Sequence, residues 1–215
     1  MNASIFAPFP SELIGWTIEI AAGLALVYVF GSLFEWGVHR YVMHTDLFVR
    51  FFPSAQKRSD DRIFHKHAVL HHGTYYQAFD HEDDPIGREI SIVFTLGDTL
   101  RVLGALLPVL FLIARVSSVI AIIFPLTAIV HNRLWNLMHR EMHQPRHPWW
   151  SRTAVYRFLA RHHFLHHAHT GTNFNVVLPL ADHLLGTLAL ATERDRSEMQ
   201  RLGFFQGSMG KRSVS

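Results

Sequence analysis

The sequence predicts an all-α fold: an integral-membrane helical bundle with a cytoplasmic, histidine-rich helical cap. Three observations predict it. From Leu13 to Phe34 the chain is apolar for 22 residues, apart from Glu19 and a few small polar residues, about the length needed to cross a hydrocarbon core of roughly 30 Å. The 215 residues include 17 His and no Cys, and ten of the His fall into four short-period groups. Finally, 18 of the 20 Lys and Arg lie on the segments that carry those groups, with none in residues 1–12.

Composition bounds the class. Hydrophobic residues make up 49% and charged residues 17%, with a mean hydropathy of +0.12, a balance that leans toward membrane. The length suits one membrane-embedded domain over residues 1–195 and a polar C-terminal tail over 196–215. The lack of Cys excludes disulfides, thiolate metal sites and iron–sulfur clusters. A net charge of +3 and a pI near 9.5 do not point to nucleic acid, because the basic residues are dispersed among aromatic and apolar runs; a cytoplasmic membrane face accounts for them. Residues 1–10 contain no Lys or Arg, so the basic start of a cleaved signal is missing.

In chain order, Ser11 is the expected N-cap and Glu12 suits the positive end of the first helix. Leu13 to Phe34 is the first expected span, and Glu35-Trp36 its exit, Trp36 being an interfacial residue type. The run 57–62 reads as a solvated polar face. The stretch 75–87, with four acidic residues, Pro85 and Gly87, reads as a loop. Ile90 to Ala114 and Val116 to Val130 are apolar except for Asp98 and Arg101, which neutralise one another at i, i+3. One long span would strand Arg115 in the bilayer centre, so a hairpin with Arg115 at its tip is expected. It returns the chain to the face it left, keeps the histidine groups together and, by the positive-inside rule, puts them in the cytoplasm. Pro145 and Pro148 end the next helix, Trp149-Trp150 rest at the interface, and Tyr156 to His167 is helical. Asn173-Phe174-Asn175 is turn chemistry, and Leu184 to Ala191 is apolar but too short to span.

The four groups are His39-x4-His44, His67-x3-His71-His72, His139-x3-His143 and His163-x2-His166-His167. Helical spacings of three and four aim imidazoles from one face at a common point. Buried without a ligand, ten such rings would carry a large polar cost. They exceed the four ligands of a structural zinc site, so two metals sharing about five nitrogens each are expected. Imidazole suits Zn, Cu, Fe and Ni alike. A hydrolytic zinc site would need a carboxylate base; Glu141 is the one close candidate, and a lone Glu on a helix is usually solvated.

The order and spacing of these groups, with apolar hairpins between them, resemble the membrane-bound fatty acid hydroxylase and sterol desaturase superfamily of diiron oxygenases. The segment from Asn173-Phe174-Asn175 to Ala181-Asp182-His183-Leu184-Leu185-Gly186-Thr187 resembles the end of the catalytic core in the fatty acid hydroxylase branch. The resemblance covers roughly residues 30–190. It implies that His39, His44, His67, His71, His72, His139, His143, His163, His166 and His167 ligate two iron ions. His65 stays open beside His67, and His162 beside His163, with the x2 spacing favouring His163. The resemblance also implies a water-mediated role for Asn136 near the metals, and a role for Asp182 in orienting a ligand imidazole, against plain helix and turn capping for both.

The activity implied is hydroxylation of a lipid C–H bond with O2 as co-substrate, the lipid being a fatty acyl chain, a sphingolipid-like lipid, a sterol or a carotenoid. Electrons are expected from a separate donor, a ferredoxin or a b-type cytochrome with its reductase. A lipid desaturase of the same superfamily is the nearest alternative. A divalent-metal transporter or metal-binding protein would need ionisable residues along a mid-membrane path, and the spans offer Glu19, Asp98 and Arg101. A membrane haem protein would need facing His pairs inside the spans, where only His131 lies at such a boundary.

Overall fold

The computed structural model describes residues 11–45, 61–75, 79 and 92–205, and among them every regular element is helical. Side-chain capping at Ser11, most of the polar run 57–62, most of the acidic stretch 75–87 and the tail beyond 205 lie outside the described residues. The chain divides into two compact units: Met1–Gly31 with Phe94–Arg133, and Ser32–Val93 with Leu134–Ser215.

The first unit holds the apolar helices. Helix α1, Ser11–Val38, is one of two helices long and apolar enough to cross a membrane. Its side chains are turned out rather than in: Trp16, Ile18 and Leu24 are 58%, 62% and 50% exposed. Such a surface costs free energy in water and none in lipid. Helices α3, Leu96–Ala105, and α4, Leu107–Val116, follow. Thr95 and Asp98 form a reciprocal capping box that starts α3, and Asp98 also pairs with Arg101 at 2.6 Å, as its spacing predicts.

The expected first arm of the hairpin is not one helix. The chain bends by 66° between α3 and α4, at Leu106. Pro108, in the first turn of α4, has no N–H to continue the α3 ladder, and its ring disfavours helical geometry in the residue before it. Ser117 is extended and its Oγ accepts from the Ile120 N–H at 3.2 Å, so Arg115 does lie beside the break that precedes α5, Ser118–His143. That helix is the second long enough to span. Val27, Leu103 and Phe124 form the buried centre of the unit, with Leu106, Leu110 and Ile129 around them. α1 approaches α5 closely at Gly23, where a Cβ would sit 3.3 Å from Ile120 Cγ1, the small-residue contact by which apolar helices pack in lipid.

The second unit contains the last turns of α1, a composite helix α2 over 61–75, the end of α5, and helices α6, Ala154–Ala168, α7, Leu180–Leu184, and α8, Glu193–Arg201. Glu35 and Trp36, expected at the exit of the first span, are 6% and 9% exposed: Glu35 accepts backbone N–H groups and Trp36 packs on Phe174 and Ala181. The segment expected to open the polar tail folds as α8. Thr192 and Asp195 cap it, Met199 is 2% exposed, and Asp195 takes a 2.8 Å bond from His169 of α6. Of the two tryptophans expected at an interface, Trp149 is 80% exposed while Trp150 packs edge-on against Tyr156.

The close approach at Gly23 gives a stability test. Gly23→Leu should lower stability in detergent by about 1–3 kcal/mol through overpacking. Gly15→Leu, where nothing lies within 4 Å, should leave the thermal midpoint unchanged or higher. Equal effects at both positions would contradict the packing described.

Candidate metal centre

The local backbone explains how histidines five residues apart come to share a target. On an α-helix, residues i and i+5 point about 140° apart. The chain instead forms π-helical turns at His39–Met43 and His65–His71, whose i→i+5 bonding suits such pairs and which occur most often at functional sites. His39 and His44 thereby converge, as do His67 and His72. His139 and His143, four apart, need only the α-helix of α5. Helix α6 supplies His163, His166 and His167, three of its four buried histidines.

Two groups result. His39, His44, His67, His72 and His166 form one, and His71, His139, His143 and His163 the other; within each group the ligand atoms lie within 4.8 Å of one another. Neighbouring residues serve different groups: His71 and His72 in α2, and His163 and His166 in α6. His167 belongs to neither set by that criterion, but lies between them, stacked on His72 at 4.2 Å and 4.6 Å from His143 between ring centres.

In the first group the Nε2 atoms face one another. His39 and His67 are 2.8 Å apart, His67 and His44 3.1 Å, His44 and His166 3.0 Å, His166 and His72 3.1 Å, and His72 and His67 3.3 Å. Nitrogens held at about 2.1 Å from one ion would be separated by about 3.0–3.4 Å along the edges of an octahedron or tetrahedron. Protons cannot account for these contacts. His39 Nδ1 donates to the Phe174 carbonyl and His166 Nδ1 to the Thr172 carbonyl at 2.7 Å, so both rings present bare lone pairs at Nε2. If His67, His44 and His72 donate to those two, N–H faces N–H in the His67–His44 and His67–His72 contacts. A cation at the centre satisfies all five at once, and the residues present therefore fit a metal.

The second group repeats the device. His143 Nδ1 donates to the Phe79 carbonyl at 2.9 Å, leaving Nε2 as a lone pair 3.0 Å from His163 Nε2. His139 Nε2 and His163 Nδ1 are buried without a hydrogen-bond partner. Burial, reinforced by neighbouring imidazoles, holds His67, His71, His163, His166 and His167 well below the usual histidine pKa. Burial alone lowers the partly covered His44 to about 4. The rings are neutral at pH 7, the form that binds metal. Trp135 stacks on His139 at 4.5 Å, and Phe174 and Phe79 close the sides.

The remaining sequence expectations sort by position. His67 is fully buried in the first group while His65 is exposed. His163 enters the second group, while His162 turns the other way to Asp182, at 2.9 Å. Among the described residues, the imidazole that Asp182 bonds is that of His162, which is in neither group. Asp182 also accepts the N–H groups of Phe174 at 2.9 Å and Asn175 at 2.7 Å, and the Thr187 hydroxyl at 2.6 Å. Burial pushes its carboxyl up, but the bonds from His162, Thr187 and Asn175 outweigh burial and hold it below the ordinary range. It positions the loop whose carbonyls set the tautomers of His39 and His166. Asn136 is half-buried, one turn before His139. Glu141 is not solvated: it is 5% exposed and caps the turn after α5 by accepting from the N–H groups of Arg146 and His147.

Four supporting residues were not legible as such. Glu35 accepts from Val176 at 2.7 Å, Val177 at 3.1 Å and Leu178 at 3.2 Å, fixing the far end of the same loop to α1. Ser32 accepts from the Ala181 N–H, and Asn175 donates to the Ser32 carbonyl. Asn173 takes a left-handed φ of 51°, tolerated by Asn, and bonds His162 O and Ala189 N. A buried acid on an apolar helix was the available signal for Glu35. Comparison with family models, with curated proteins and with solved structures returns no match.

Removing either loop anchor should loosen the first group without deleting a ligand. Asp182→Ala and Glu35→Ala should each weaken metal affinity by about 10–100-fold, the usual cost of losing a partner that orients ligands. Chelator competition on purified protein measures it. Unchanged affinity in both would show that the loop does not set the ligand geometry.

Proposed function

We propose that this chain is a membrane-bound, non-haem diiron monooxygenase that hydroxylates a C–H bond of a lipid. The observation that carries the proposal is the pair of adjoining, buried, all-imidazole groups in a chain with two helices able to span a membrane. A hydrolytic zinc site is disfavoured because Glu141, the carboxylate within the third histidine group, is committed to a turn. The groups are enclosed rather than strung along a span, which disfavours a transport path.

Bound iron would supply O2 activation and the one-electron chemistry that side chains lack. The protein supplies the rest. The carbonyls of Phe174, Thr172 and Phe79 hold His39, His166 and His143 as Nδ1–H tautomers, so that Nε2 lone pairs face the metals. Phe174, Phe79 and Trp135 exclude water from the imidazoles, which protects a reactive oxidant from quenching. The all-nitrogen donor set keeps the centre cationic. In this reading the histidine unit lies on the cytoplasmic face, where the basic residues collect, and electrons arrive from a separate ferredoxin or b-type cytochrome. A desaturase of the same superfamily shares the first hydrogen abstraction, and product analysis separates the two.

The decisive measurement is metal content by elemental analysis, joined to lipid oxidation assays under isotopically heavy O2. The expectation is one iron for each of the two groups, loss of one group's iron in His163→Ala and of the other's in His166→Ala, and label in a hydroxylated lipid. Zinc that cannot be replaced by iron with gain of O2-dependent activity would sink the proposal. Label-free unsaturated product would favour the desaturase.

A further inference from the structure

The segment after Asp182 is built inside out for a water-exposed loop. Its small and polar side chains point inward: Ala181 and Asp182 are fully buried and Thr187 and Ala189 half-buried. Its leucines point outward, with Leu184 63%, Leu185 47%, Leu188 40% and Leu190 91% exposed. No charged residue occurs between Leu184 and Thr192. Scattered exposed leucines need no explanation, but four within seven residues on one ridge do.

The ridge is held rigidly, and beside α1. Trp36 Nε1 donates to Thr187 Oγ1 at 3.0 Å, and the Ala181 N–H donates to Ser32 Oγ at 2.8 Å. On this stretch of α1, part of a candidate span, Leu33 and Phe34 are each 42% exposed, so it too presents apolar surface. Gly186, with φ of 67°, turns the chain at the end of α7, a conformation that favours Gly. Much of the backbone is satisfied internally: Leu185 N–H bonds Ala181 O, Thr187 N–H bonds Asp182 O, Thr187 O accepts from Asn173 N–H, and Ala189 N–H bonds Asn173 Oδ1. A segment so bonded can enter the boundary between headgroups and acyl chains, where water still reaches its remaining polar groups, though it is too short to go deeper.

We propose that residues 184–190 form a shallow membrane-contact ridge that seats Leu184, Leu185, Leu188 and Leu190 in the surface of a phospholipid bilayer, alongside the last turns of α1. The inference rests on the reading of α1 as a membrane span. The loop of Asp182 then serves twice, since the same chain segment that orients His39 and His166 is anchored to the lipid surface. The metal centre is thereby held at the level from which a lipid would enter.

Because the chain has no Cys, single-cysteine variants accept one spin label each. Full-length Leu184→Cys, Leu190→Cys, Ser197→Cys and Leu24→Cys proteins would be labelled in phosphatidylcholine nanodiscs, and collision rates measured with O2, which concentrates in lipid, and with a water-soluble nickel complex. Leu184 and Leu190 are exposed, so the labels should not disturb folding. The expected result is an O2-to-nickel ratio at 184 and 190 several-fold above that at 197 and below that at 24, because O2 enrichment rises with depth in the bilayer. A ratio at 184 and 190 equal to that at 197, with 24 still lipid-like, would overturn the ridge and leave the span intact. Exclusion of both reagents from 184 and 190 would also overturn it, showing that another copy or another segment covers the leucines. A water-like ratio at 24 would overturn the span and the ridge together.

Discussion

A buried neutral imidazole carries one lone pair and one N–H, and each must be met by something other than water. In the histidine unit this constraint governs every neighbouring element. The N–H groups of His39, His166 and His143 are taken by main-chain carbonyls of Phe174, Thr172 and Phe79, and the lone pairs are thereby turned inward. Carbonyls can do this only if the loops bearing them are fixed. Asp182 and Glu35 fix one loop through its N–H groups, an arrangement in which two buried carboxylates are stabilised by hydrogen bonds rather than by cations.

The helix geometry answers to the same constraint. A π-helical turn has poorer bonding than an α-helical one and persists where the surroundings hold it. Among the described residues two such turns occur, both at histidine pairs five residues apart. Helix α6 is shared: its buried face serves both groups, which couples their geometry through one rigid element. Asn173, five residues past the end of α6, adopts a left-handed conformation between Thr172 and Phe174, whose carbonyls accept from His166 and His39.

The apolar unit follows a different logic. Its helices bury little and expose much, and their contacts rely on small residues such as Gly23 rather than on an extensive core. In lipid this is the stable arrangement, because association there depends on close backbone approach and not on removing apolar surface from water. The leucine ridge at 184–190 extends the same principle to a segment with polar residues beneath it.

The sequence by itself determined the helical class, the apolar helices and nine of the ten histidines that assemble, because each of these is written in local spacing: 22 apolar residues in a row, or imidazoles three to five apart. The tenth, His167, it also named, but only packing decided that this ring lies between the groups rather than within one. Local spacing was silent on how a pair five apart could share a face, since the π turns that permit it are imposed by the rings they serve. It did not reveal that Glu35 would anchor a loop, and it read Glu141 as solvated, since the N–H groups that each carboxylate accepts become neighbours only on folding. The break at Leu106 was legible after the fact from Pro108 but not its 66° bend. Which nitrogen of His39, His143 and His166 faces into its group was decided by tertiary structure alone, because the carbonyls of Phe174, Phe79 and Thr172 meet those rings only when the chain packs.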